Sequence, residues 1–211
     1  MSSREDVTAI VLAGGRGSRF GGAKLAAEIA GVTILDRAIR SVDAVAGEII
    51  LAGADAPEEA GAREPTEAAI WTLPDAEPFA GPLLALAGAL ARTTTPYALV
   101  VGGDMPALVP AVLARMLDRL DSMPLTDALI LEEPGTDRRQ VLPLAVRTSP
   151  ARQAIEASIQ AGERSLHAFL DRTSCSTDPA EAWLRLDPTG QTALDIDRPA
   201  DLDRARKHNF R

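Results

Sequence analysis

Ile10-Val11-Leu12-Ala13-Gly14-Gly15-Arg16-Gly17-Ser18-Arg19-Phe20-Gly21-Gly22-Ala23-Lys24 joins an apolar run to a glycine-rich stretch that ends in cations. Such a run predicts a buried strand whose end delivers an anion-holding loop. Glycines let backbone N–H groups turn toward phosphate oxygens without interference from a Cβ, and Arg16, Arg19 and Lys24 add charge where a triphosphate would lie. No acidic residue occurs between Val7 and Ala27. The spacing separates this loop from two commoner ones. A Walker A loop sets Lys directly before Ser or Thr, whereas Lys24 stands between Ala23 and Leu25. The dinucleotide fingerprint that opens with Gly15 and Gly17 would need a glycine where Phe20 stands, and Gly21 comes one place late. The competing interpretation is a plain glycine-rich surface turn, which the strand before it and the acid-free cationic run disfavour.

Outward from this loop, the chain bounds its own class. Its 211 residues suit one domain with a substantial core, and a composition of 46% hydrophobic and 25% charged residues is that of an ordinary globular protein. A formal net charge of −8 argues against long-range attraction to nucleic acid or to an anionic membrane, so any anion must be held by local geometry. The single Cys175 excludes an intramolecular disulfide and a cysteine-cluster metal site; its Ser and Thr neighbours predict a loop. The start, Met1 to Asp6, is polar and carries no apolar secretory core, and no apolar run approaches the roughly 18 residues that span a bilayer. A cytoplasmic protein is expected.

Apolar, β-branched runs predict strands at Thr8–Leu12, Glu48–Ala52, Ala69–Leu73, Ala98–Val101, Ala128–Leu131 and Val141–Val146, most buried on both faces. Helical spacing at Ile34–Val42, Leu83–Leu90, Val112–Leu120 and Pro150–Ile159 alternates with them, and further helices are predicted at Leu166–Asp171 and Pro199–Lys207. Trp71, on an interior strand, and Trp183, on a late one, are expected in the core. The stretch Asp55 to Thr66 reads as an irregular surface connection. The alternation predicts an α/β fold: a single-domain, Rossmann-like three-layer sandwich with a mostly parallel sheet, helices on both faces, and ligands at the carboxyl ends of the strands.

Tyr97-Ala98-Leu99-Val100-Val101-Gly102-Gly103-Asp104-Met105-Pro106 is a second buried strand ending in glycines, here with a carboxylate as its first charge. Asp104 would face the same crevice as Lys24. A strand-end Asp suits Mg²⁺, which takes few protein carboxylates and completes its shell with water and phosphate oxygens. A solvated turn or a helix cap is the alternative for Asp104 alone. Taken together, the two loops describe nucleotidyl transfer, in which positioning and electrostatics supply most of the barrier lowering.

These residues resemble the nucleotidyltransferases with an L-x-G-G-x-G-x-R-x-G-x-x-K loop, and within them the molybdenum cofactor guanylyltransferases. Phe79-Ala80-Gly81-Pro82-Leu83, the Asp104 loop, Ala161-Gly162-Glu163-Arg164-Ser165-Leu166 and Asp195-Ile196-Asp197-Arg198-Pro199-Ala200-Asp201-Leu202 extend the similarity over nearly the whole chain, in the family's order. The resemblance implies transfer of GMP from GTP to the terminal phosphate of molybdopterin, with Mg²⁺, giving molybdopterin guanine dinucleotide and pyrophosphate. It implies a nucleotide-binding half over about 1–106 and an acceptor-binding half over about 107–211. Leu12, Ala13, Gly14, Gly15, Gly17, Ala52, Asp75 and Gly81 would line the nucleotide, Arg19 and Lys24 its phosphates, and Asp104 the metal. Gln140, Arg164, Ser165, Asp195 and Asp197 would serve the acceptor side; for each, a surface hydrogen bond or a helix cap is the alternative role. Transient contact with other molybdenum cofactor proteins is also implied.

Several positions depart from the family's pattern. Ala23 precedes the loop lysine where an Asp is usual. Ala52-Gly53-Ala54 stands where relatives place an Asn suited to reading a base edge, which leaves a cytidylyltransferase for the same pterin open. Val141 follows Gln140 in place of Pro, leaving a different phosphorylated acceptor open. Asp replaces Asn at 195 and 197, which makes that corner acidic and able to assist Mg²⁺. A non-catalytic nucleotide-binding regulator is a further alternative, disfavoured by the presence of both Lys24 and Asp104. His167 reads as a surface residue of a short helix, His208 as part of a solvated basic tail, and Glu132-Glu133 as a strand-end turn.

Overall fold

The computed structural model of the chain describes residues 4–14, 24–53, 66–74, 81–135 and 139–207. Its strands are β1 (Arg4–Leu12), β2 (Glu28–Ile29), β3 (Val32–Thr33), β4 (Ala46–Ala52), β5 (Ala69–Leu73), β6 (Tyr97–Gly102), β7 (Ala128–Glu132), β8 (Arg139–Arg147) and β9 (Cys175–Asp178). Its helices are α1 (Ile34–Asp43), α2 (Pro82–Arg92), α3 (Pro110–Asp121), α4 (Thr148–Gln160), α5 (Leu166–Leu170), α6 (Ala180–Trp183) and α7 (Pro199–Lys207). Seven strands form one sheet in the order β5-β4-β1-β6-β8-β7-β9, while β2 and β3 make a separate hairpin. Among the described residues β8 alone runs against the rest; the other six strands of the sheet are mutually parallel.

Alternation along β1 divides the core in two. Val7, Ala9 and Val11 pack with Leu35, Ile39 and Val42 of α1 and Leu113, Met116 and Leu117 of α3 on one face. Ile10 points to the other, where Leu83, Leu86 and Leu90 of α2 meet Ala151 and Ile155 of α4 and Phe169 of α5. Successive side chains of a strand leave opposite faces, so a sheet apolar on both sides needs helices on both, and the result is three layers. Thr8, fully buried in β1, bonds Glu48 Oε2 at 3.0 Å and Thr95 Oγ1 at 2.8 Å.

Three expectations need correction. Trp71 is not in the core: β5 is an edge strand, and the indole is 59% exposed. Cys175 lies not in a loop but at the start of β9, which pairs in parallel with β7. Its apolar signal is weak because an ion pair anchors the strand: Asp178, fully buried, accepts from Arg115 Nε at 2.7 Å and lies 3.1 Å from Arg119 Nε, both on α3. Trp183 is buried as expected but ends α6 rather than lying on a strand, and its indole N–H donates to the Glu132 carbonyl at 3.1 Å.

From β1 the chain moves outward to β4 and β5, then returns to β6 on the other side of β1. β1 and β6 are therefore adjacent parallel strands from which the chain goes on toward opposite edges of the sheet, the switch point at whose carboxyl ends open α/β sheets form a ligand crevice.

Candidate active site

Backbone contacts knit the strand ends that floor the crevice. Ala13 N donates to the Ala52 carbonyl at 2.7 Å, and Gly103 N to the Leu12 carbonyl at 2.9 Å. The close approach of the β1 and β4 ends depends on Gly53, at φ +132°, where a Cβ would lie 2.2 Å from Gly14 N. At Gly102 a Cβ would come within 2.3 Å of Asp104 Oδ1, so the missing side chain leaves room for the carboxylate.

Lys24 opens a short 3-10 turn after the glycine loop, and its ammonium reaches across to the β6 loop. Nζ donates to Asp104 Oδ2 at 2.8 Å and to Asp197 Oδ1 at 3.1 Å. The Lys24 side chain is only 14% exposed. Burial acts to lower the lysine pKa, but Asp104 and Asp197 outweigh it, and the net shift is upward. Asp197 arrives on a segment held to the same loop, since Ile196 N donates to the Asp104 carbonyl at 2.9 Å. Asp195 completes the corner: desolvation, then the charges of Asp197 and Asp104, push its carboxyl above the usual aspartate range.

A cavity of about 770 Å³ opens beside this cluster. Asp104 and Asp195 stand on its wall, with Gln140 from the start of β8, Gly81 from the start of α2, and Arg164 and Ser165 from the entry to α5. Met105, Val141, Leu142 and Leu166 give it an apolar lining. Because β8 is reversed, its first residues lie at the same end of the sheet as the last residues of β6. Gly81 has φ +102° and precedes Pro82, the first residue of α2; a Cβ there would meet the Arg164 carbonyl at 3.3 Å.

The sequence-predicted residues are thus placed unevenly. Lys24, Asp104, Asp195 and Asp197 converge on one point, and Gly81, Gln140, Arg164 and Ser165 surround the adjoining cavity. Leu12, Ala13 and Gly14 lie at the end of β1, with Ala13 buried; the Ala52 side chain is buried in the sheet core. Gly15, Gly17, Arg19 and Asp75 lie outside the described residues. Gln140 is already engaged, its Nε2 donating to the Ala193 carbonyl, and Ser165 Oγ accepts from Ala168 N at 3.2 Å as the cap of α5. Arg164 has no ion-pair partner among the described residues. His167, discounted as a surface residue, is exposed but also lines the cavity. Glu132 ends β7 and accepts from Ala180 N at 2.9 Å, capping α6.

Two strand-end loops of a switched parallel sheet, one cationic and one acidic, are the arrangement expected of a nucleotidyltransferase, and the description "MobA-like NTP transferase domain" matches residues 9–176. The chain belongs to the MobA-like NTP transferase family. It is a nucleotidyltransferase. Among relatives of this family, a protein of Chloroflexus aggregans named as a probable molybdenum cofactor guanylyltransferase is 32% identical over 203 residues, covering 93% of this chain and 91% of the relative. The molybdenum cofactor guanylyltransferase of Bordetella petrii is 30% identical over 178 residues, covering 83% and 88%. Among solved structures, molybdopterin-guanine dinucleotide biosynthesis protein A of Archaeoglobus fulgidus superposes with a TM-score of 0.78 at 23% identity, covering 95% of this chain and 97% of that one. The 2-C-methyl-D-erythritol 4-phosphate cytidylyltransferase of Thermus thermophilus superposes with 0.67 at 17% identity, covering 99% and 98%. At these identities the structural likeness is one of fold. MobA-like members thus share the α/β sandwich with the three-layer arrangement found here.

Proposed function

We propose that the protein transfers GMP from GTP to the terminal phosphate of molybdopterin, with Mg²⁺ as cofactor, releasing pyrophosphate. The similarity to guanylyltransferases over nearly the full chain supports the reaction. The observation that carries the site is the meeting of the Lys24 ammonium with Asp104 and Asp197 at the mouth of the cavity.

The donors fit a hard divalent cation. Three carboxylates, Asp104, Asp195 and Asp197, gather around one lysine, and a cation already sits between two of them in the form of the ammonium. Among the described residues no group of three or more potential ligands forms a ready-made metal cage. Asp104, with Asp197 beside it, would therefore hold Mg²⁺ together with substrate phosphate oxygens. When bound, Mg²⁺ supplies positive charge beside the α-phosphate as pyrophosphate departs.

The chain's own residues do the positioning. Lys24 and Arg19 hold the triphosphate, with the backbone of Leu12, Ala13, Gly14, Gly15 and Gly17 beneath the nucleotide and Ala52, Asp75 and Gly81 at its margin. Arg164 and Ser165 hold the acceptor phosphate, and Gln140 and Asp195 border it. An acceptor oxygen attacks the α-phosphorus, a new P–O bond forms there, and the bond to the β-phosphate breaks. The nucleotide half then extends over about 1–106 and the acceptor half over about 107–211. A cytoplasmic location belongs to the same proposal; of the described residues, no helix is long and apolar enough to cross a membrane.

The deciding experiment measures pyrophosphate release with molybdopterin and either GTP or CTP, with and without Mg²⁺. Release with GTP that requires both molybdopterin and the metal is expected. Release with CTP alone would make the protein a cytidylyltransferase of the same pterin, and release with neither would remove this assignment.

A further inference from the structure

Asp187 is 3% exposed and has no ion-pair partner among the described residues, yet the transfer chemistry does not use it. Its Oδ2 accepts from Thr192 N at 2.6 Å and its Oδ1 from Thr189 Oγ1 at 3.1 Å. A buried carboxylate without a counter-charge is costly, and here charge-assisted bonds to a backbone N–H and a hydroxyl offset that cost. The turn is closed further by Gly190 N, which donates to the Asp187 carbonyl at 3.0 Å, with Gly190 at φ +68°.

What leaves this turn is the segment that supplies the acidic corner. Thr192, fully buried, accepts from Val109 N at 3.2 Å through its hydroxyl, which ties the segment to the start of α3. The next carbonyl, that of Ala193, is held by Gln140. Two residues later Asp195 faces the cavity; then Ile196, buried among Ile29, Ile34 and Leu202, bonds the Asp104 backbone, and Asp197 bonds Lys24. Each tie fixes one residue of a strap laid across the β6 and β8 ends.

We infer that Asp187 is a positioning residue for the Lys24–Asp104 centre, acting through residues 189–197, and that Gln140 is a second anchor of the same strap. This rests on the assignment of Lys24 and Asp104 to the transfer site, but its consequence is readable without turnover. Releasing the strap withdraws Asp197 and uncovers the ammonium of a lysine whose side chain is now 14% exposed. Lys24 and Lys207 are the chain's only lysines, so the second serves as an internal reference.

The test is acetylation of the full-length, ligand-free protein with a limiting amine reagent, followed by mass spectrometry of the two lysines. In Asp187→Ala the Lys24 rate relative to Lys207 is expected to rise about threefold, the scale of one lost, partly exposed ion pair. Asp187→Asn keeps an acceptor for Thr192 N and should restore the parent rate, whereas Asp197→Ala should match the Asp187→Ala rise. Gln140→Ala should show the same direction and serves as the second probe if Asp187→Ala fails to fold. A Lys24 rate in folded Asp187→Ala equal to the parent's overturns the inference, as does an unchanged Gln140→Ala where that variant stands alone. If labelling changes as expected while the parent shows no nucleotidyl transfer, the functional assignment fails and the anchoring stands.

Discussion

At the scale of single residues, the centre is a balance of one half-buried lysine against more than one carboxylate. Asp104 is the acid that Lys24 approaches most closely, at 2.8 Å, and its side chain is 30% exposed, so removing it opens no core cavity. Asp104→Ala is expected to lower transfer by about 10²-fold or more while the melting temperature changes little; activity close to the parent's would reject the role given to Asp104. Asp195 makes a pH prediction. Its carboxyl is pushed above its ordinary value of 3.8, so the native state holds this proton more tightly than the unfolded chain does. Stability from this group is then fully present below that ordinary value and is lost as pH rises through the raised native one. Asp195→Asn removes the ionisation, so the ligand-free variant is expected to be more stable than the parent at pH 7, with the gap closing toward pH ~3. Denaturant melts across that range measure it, and a gap that does not change with pH would contradict it.

At the scale of elements, the buried parallel strands were plain in the sequence because a strand covered on both faces is a continuous apolar run. β6 carries no polar side chain but the tyrosine hydroxyl at its start, and its predicted and observed bounds differ by one residue at each end. β9 was missed because Cys175-Ser176-Thr177-Asp178 belongs to an edge strand anchored by a buried acid rather than by apolar side chains. Trp71 misled for the opposite reason, since an apolar edge strand reads like an interior one. The site divides in the same way. Lys24 and Asp104 were legible because each follows a buried strand through glycines. Asp197 joins them from 173 residues beyond Lys24, and the Gln140 partner is a carbonyl, which has no side-chain signature. The β1–β4 junction yields a further prediction. Gly53→Ala combines a left-handed φ with a Cβ pressed onto Gly14 N, and neither neighbour is a flexible side-chain tip. The variant is expected to lose at least about 1–3 kcal/mol of stability, with nucleotide affinity falling as well because the loop base shifts. Thermal melts and nucleotide titration check both parts.

At the scale of the whole molecule, the functional loops come from both halves of the chain, yet all leave the same end of the sheet. Ligand that bridges them should therefore stabilise the fold as a unit. At a concentration 100 times its dissociation constant, GTP with Mg²⁺ should add about 2.7 kcal/mol. For a chain of this size that is a rise in melting temperature of roughly 5–10 °C, with a smaller rise when the metal is withheld. No shift with GTP, CTP, ATP or UTP would contradict nucleotide binding at this site. The opposite end of the sheet is tied independently: Arg4 and Arg147 stack on the Tyr97 ring at 5.3 and 5.4 Å, and Arg147 also bonds the Thr126 and Leu120 carbonyls. These contacts, separate from those that shape the site, hold the amino ends of β1 and β6.

The two tryptophans sit in opposite surroundings, Trp71 open to water on an edge strand and Trp183 enclosed beside Gly190, in the turn from which the strap departs. Their emission should therefore separate, with a red, readily quenched component from Trp71 and a blue, protected one from Trp183. Once Trp71 is replaced by phenylalanine, intrinsic fluorescence becomes a single-site optical gauge of the strap, able to follow its movement in real time without any attached dye.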